Sequence, residues 1–156
     1  MSLLSRCLPL VALAALVVAC HEDGDSKTAY TPHMRDITIT TVPLLVKEQV
    51  SVLPFLKQDF AKGGVLDGKE VYAFDPNTIT VMEGDTLNLT FINPEDDEHG
   101  FALHDLLVKL PGQAITKAKY VAKAAGIYDF SCTMPAHTPM MRGQLVVLRP
   151  GSGDRD

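Results

Sequence analysis

The chain lacks a surplus of positive charge, and that lack closes off one large class of function. It has 14 lysines and arginines against 19 acidic residues, a formal charge of −5. Nucleic acid is therefore a poor partner, and a basic protein is a better one. No glycine-rich run resembles a phosphate cradle, and no Ser-His-Asp set or carboxylate pair stands out for hydrolysis, so an enzyme of those kinds is not expected. No internal repeat is visible. The apolar run over residues 8–18 is too short to cross a bilayer as a mature helix.

Cysteine is scarce, with three in 156 residues. Cys7 lies in a segment whose only charge is Arg6 and whose charged-then-apolar order is that of a secretory signal. That segment ends in VVAC over residues 17–20, which resembles the lipobox of bacterial lipoproteins: cleavage after Ala19 leaves Cys20 to carry a lipid. The expected organisation is a signal over residues 1–19, a tether over 20–35, one domain over 36–150 and a tail over 151–156. Loss of the signal removes Arg6 and no acid, leaving 13 basic against 19 acidic residues, a charge of −6. The expected location is the periplasmic side of a bacterial cell envelope, held to a membrane by N-terminal lipid. Cys132 is then the sole free thiol in an oxidising compartment. Such a thiol survives if it is buried, used in catalysis or bound to metal.

A hydrophobic content of 46% suffices for a single core. Residues 21–35, HEDGDSKTAYTPHMR, are polar and aperiodic, as a tether should be. Order is expected to begin near Asp36, with a strand over residues 36–42. A short helix is expected over residues 54–62, ended by Gly63 and Gly64. Residues 70–74 (EVYAF), 78–82 (TITVM) and 86–92 (TLNLTFI) read as strands, separated by turn formers at residues 75–77, 83–85 and 93–94. Further strands fit residues 101–103, 118–122, 126–130 and 143–148. Residues 117–125 also have helix-forming composition, which leaves a helix there as an alternative. Many short strands at close spacing predict an all-β fold, a two-sheet Greek-key β-sandwich with one short helix. The sequon at Asn88 carries no weight within a strand.

The chemistry concentrates in SCTMPAHTPMMRG, residues 131–143, between two expected strands. Thiolate, imidazole and thioether suit copper: two imidazoles and a thiolate with a weak axial thioether form a blue-copper electron-transfer site. This loop supplies Cys132, His137 and a methionine. The second histidine must come from elsewhere, and His99 follows the strand over residues 86–92 where the chain turns to the same end. His104, five residues on, is the rival. Met134 and Met82 read as core filler, and His21 and His33 as solvated tether residues.

Cys-x4-His-x3-Met, followed by Arg142, Gly143 and a hydrophobic strand, resembles the ligand loop of azurin-like mononuclear cupredoxins. FINPEDDEHGFAL over residues 91–103 is similar to the cupredoxin strand that supplies the first histidine, and GIYDFSC over 126–132 to the strand entering the cysteine. The resemblance covers roughly residues 70–148 and implies His99, Cys132, His137 and Met141 as copper ligands. Met141 is favoured over Met140 because Arg142 and Gly143 continue into a strand as they do in that family. His99 and Pro111-Gly112 also resemble the copper domain of cytochrome oxidase subunit II. That family bridges two coppers with two cysteines, and the second cysteine is missing here, so one copper ion is expected.

The resemblance implies a non-enzymatic carrier of single electrons between redox partners such as a c-type cytochrome or a terminal oxidase. Two other readings stay open: a protein that binds or delivers copper without electron transfer, and a red-copper protein like nitrosocyanin. The acidic run over residues 95–98 is either a rim that steers a basic partner or a solvated loop.

Overall fold

Thr86–Asn93 alternates buried and half-buried residues along its whole length, sending Leu87, Leu89, Phe91 and Asn93 to one face. Period-two patterning of this kind needs a second layer to cover the buried face. The structure, a computed structural model, describes residues 30–151. The expected signal, Cys20, most of the tether and all of the tail beyond Gly151 lie outside the described residues.

Among the described residues, nine strands form two sheets. They are β1 (Met34–Leu45), β2 (Val71–Asp75), β3 (Thr78–Met82), β4 (Thr86–Asn93), β5 (His99–Leu103), β6 (Leu106–Leu110), β7 (Ala114–Val121), β8 (Gly126–Ser131) and β9 (Arg142–Leu148). The first sheet runs β2-β1-β4-β7 and the second β3-β9-β8-β5-β6. Among the described residues, no helix is long and apolar enough to cross a membrane. The only α-helix among them, α1 (Leu56–Asp59), is shorter than expected and follows a 3-10 turn at Lys47–Ser51.

Between the sheets, Phe101 meets Phe74, Phe91 and Phe130 at ring separations of 5.4, 4.7 and 5.0 Å. Each ring is 1% exposed or less, and full burial of such a side chain contributes about 1.5–3 kcal/mol. This cluster underlies the functional end, because Phe101 and His99 point the same way on β5.

Of the two readings of residues 117–125, the expected strand is the one formed, and one further strand is new. Residues 117–121 belong to strand β7, paired with β4 from Thr86–Val121 to Asn93–Ala114. A ladder that long outweighs the helical preference of alanine and lysine, and it turns Lys117 and Lys119 outward. Strand β6 was not anticipated. It pairs with β5 through the turn at His104 and Asp105, where His104 adopts φ of 50°.

The chain enters at one pole. There the Asp85 carboxylate accepts hydrogen bonds from the Tyr30 hydroxyl, the backbone N–H of His33 at 2.8 Å and Arg35 Nε at 3.0 Å. Strand β1 starts at Met34, two residues before the expected Asp36. Parallel pairing of β1 with β4 carries both strands to the other pole, where β4 ends and β5 begins.

Candidate metal centre

At that far pole three side chains converge from two segments. His99 opens β5, and Cys132 directly follows β8. His137 closes the 3-10 turn Pro135–His137. The sheet brings the segments together because β5 pairs with β8 at Ala102–Ser131 and Leu103–Phe130. Gly100 is required at this junction: a Cβ there would run into the side chain of Thr133.

The Nδ1 atoms of His99 and His137 are 3.0 Å apart, and Cys132 Sγ lies 4.0 and 3.7 Å from them. All three residues are buried, with exposures of 0%, 3% and 4% for His99, Cys132 and His137. Tetrahedral zinc bonds nitrogen and sulfur at about 2.0–2.3 Å; on that scale two donors to one first-row ion lie no more than about 4.3 Å apart. The three separations meet this bound. Two imidazoles and one thiol also match the donor preference of copper, so the residues present fit a single copper ion.

Electrostatics favour the ligand form of the imidazoles. Burial, with His137 alongside, lowers the His99 pKa to about 4 against a smaller opposing pull from Asp97. Burial lowers that of His137 as well. Both rings are thus neutral near pH 7 and offer lone pairs.

The loop is tied at several points. The Cys132 N–H donates to the Met141 carbonyl, the His137 N–H to that of Met134, and the Met141 N–H to that of His137, at 2.9, 3.0 and 3.1 Å. The Met134 N–H points at Cys132 Sγ from 3.4 Å. Thr138 Oγ1 donates to the Met134 carbonyl at 3.0 Å. Met141 is 1% exposed and packs in the core, whereas Met140 is 38% exposed. His104 lies at the other end of β5, exposed and 3.3 Å from Asp105.

Two residues at the site were not anticipated. Tyr72 of β2 is buried, with its ring centroid 4.6 Å from that of His99 and 4.7 Å from that of His137. Its hydroxyl donates to Asp97 Oδ2. Burial first, and then that bond, push the tyrosine pKa upward. The clue in the sequence was the inward register of Tyr72 at the end of a strand, which does not reveal what lies opposite. The acidic run is also not a uniform rim. Asp97 turns inward to Tyr72, Glu98 pairs with Lys109 at 2.9 Å, and Asp96 is exposed.

A family model described as a cupredoxin-like domain matches residues 65–147. No curated protein matches the chain in sequence. Among solved structures, copper nitrite reductase from Nitrosomonas europaea superposes with a TM-score of 0.55 at 18% identity, over 77% of this chain and 43% of that one. The multicopper oxidase mgLAC gives 0.53 at 15%, over 74% and 39%. Auracyanin A, a "blue" copper protein from Chloroflexus aurantiacus, gives 0.49 at 20%, over 74% and 99%. This chain thus spans about two fifths of the length of either enzyme. At these identities the likeness to the two enzymes is one of fold.

Proposed function

Because the chain belongs to the cupredoxin-like family, we propose that it is a one-electron carrier holding a single copper ion between His99, Cys132 and His137, with Met141 as the weak fourth donor. The observation that carries this reading is the convergence of two histidine nitrogens and one thiol in a buried pocket. Copper bound by such a set cycles between Cu(I) and Cu(II) with little movement of its ligands.

The chain's own contribution is to keep the donors where they are. Cys132 and His137 sit on a loop closed by three backbone hydrogen bonds, and the aromatic cluster beneath β5 fixes the strand that bears His99. Burial of all three donors supports a carrier and not an enzyme, because it leaves a substrate no direct approach. Pro139 and Met140 are exposed on the same loop and offer an apolar contact beside His137.

We assign the export signal and lipid attachment at Cys20 to the periplasmic side of a bacterial membrane. The first described residues join the sandwich at the Asp85 pole, opposite the metal-centre pole, which suits attachment from the N-terminal side. A partner such as a basic c-type cytochrome, or a terminal oxidase, suits the net acidic charge and the exposed Asp96.

Copper loading followed by absorption spectroscopy and voltammetry tests the reading. One copper per chain, an intense thiolate-to-copper band and a reversible one-electron couple are expected. Bound copper without a reversible couple would replace the carrier with a copper store or donor.

A further inference from the structure

A metal-bound histidine is ordinarily aimed by a hydrogen bond from its second ring nitrogen to a carboxylate, a carbonyl or water. His99 lacks that device: its Nε2 is buried and has no hydrogen-bond partner among the described residues. The aromatic neighbour shared by both imidazoles is Tyr72, edge-on to His99 at 71° and tilted at 52° to His137.

Tyr72 is itself held at its far end. Its hydroxyl donates to Asp97, two residues before His99. Asp97 is fixed in turn by Asn93, whose Nδ2 donates to the Asp97 carbonyl at 2.7 Å and to that of Pro111 at 3.1 Å. Asn93 Oδ1 accepts from Thr41 Oγ1 at 2.7 Å. A chain of hydrogen bonds therefore runs from β1 through the end of β4 to Tyr72. It locks the ring against the two histidines while leaving their Nδ1 atoms facing Cys132.

We propose that Tyr72, locked by Asp97, is the positioning residue of the metal centre, replacing through ring packing the hydrogen bond that His99 does not make. The proposal rests on the copper reading above, because it is as copper ligands that the two histidines need aiming. It also gives Asp97 a structural task in place of a role in steering partners. What matters is the hydrogen bond at the tyrosine hydroxyl and not the charge of the carboxylate, since an amide oxygen accepts the same bond.

The test compares Tyr72→Phe, Asp97→Ala and Asp97→Asn in the full chain, with circular dichroism and melting of the metal-free proteins to establish folding. In the metal-free state, imidazole nitrogen NMR signals of His99 and His137 should shift or broaden in Tyr72→Phe and Asp97→Ala and stay parent-like in Asp97→Asn. Titration with Cu(II) alone should show affinity lowered about 10–100-fold in the first two variants and nearly unchanged in Asp97→Asn. Parent-like imidazole signals and affinity in Asp97→Ala would overturn the proposal. So would an Asp97→Asn variant as impaired as Asp97→Ala, which would make the charge the active element. If Tyr72→Phe fails to fold, the Asp97 pair still decides. A parent chain that binds no copper would overturn the copper reading, and the metal-free imidazole signals would still report on the positioning role.

Discussion

Cys132 and Met141 are joined across the ligand loop by a backbone hydrogen bond of 2.9 Å, from the cysteine N–H to the methionine carbonyl. The two residues mark the start and end of the loop, so the bond closes it into a ring that also contains His137. The backbone that carries the Cys132 thiol and the Met141 thioether is thereby held in place. In the proposed carrier, that restraint would serve electron transfer more than binding itself.

Replacement of Cys132 by Ser should abolish the thiolate-to-copper absorption while leaving the fold intact, because the two side chains are nearly equal in size. Metal analysis of the parent should give one copper per chain, as no second thiol is present among the described residues. Two coppers at full, specific occupancy would refute a mononuclear centre.

His99→Ala should disrupt the copper spectrum, whereas His104→Ala should leave it nearly intact. The first residue lies 3.0 Å from the other histidine of the cluster, and the second pairs with Asp105 at the opposite end of β5. The reverse pattern would remove His99 from the ligand set.

Met141→Leu should retain copper and raise the reduction potential, since loss of even a weak donor penalises the oxidised ion more than the reduced one. The swap nearly conserves volume, so stability should fall by less than about 1.5 kcal/mol. Met140→Leu, at an exposed position, should shift the potential less. A larger shift in the Met140 variant would exchange the two assignments.

Asp85 governs acid stability at the other pole. Burial works to raise its pKa, but hydrogen bonds from Tyr30, the His33 N–H, Arg35 and the Met82 N–H outweigh it and hold the carboxyl well below the usual range. A group with a depressed folded pKa contributes stability that is full above its unfolded value of about 4 and is lost as pH falls towards the folded value. The melting temperature of the metal-free chain should therefore drop as pH falls below about 4. Asp85→Ala should weaken that dependence and cost about 1–3 kcal/mol at pH 7. Equal stability of variant and parent at pH 7 would contradict this account.

Much of the sandwich was legible because strand patterning is local. Residues 78–82 alternate and lie between turn formers, and β3 occupies that same span. Residues 117–125 left a helix open beside the expected strand because composition speaks only for the isolated segment, and pairing with β4 decides for the strand. Strand β6 went unread because Leu106 and Leu107 break the alternation with two adjacent leucines, and Leu107 is left exposed.

By itself, the sequence determined which donor atoms the segment around Cys132 offers: its thiol, a histidine five residues beyond it and two adjacent methionines, with two candidate histidines upstream at positions 99 and 104. Donor type and loop spacing are properties of the chain, and no fold is needed to read them. Tertiary structure decided which donors meet. The pairing of β5 with β8 carries His99 to Cys132 and leaves His104 at the far turn. The closed loop buries Met141 and exposes Met140. Tyr72 and Asp97, 25 residues apart, meet only where β2 passes the loop before β5. Such meetings depend on sheet register and on layers packing face to face, and contacts between distant segments leave no periodic trace in either one.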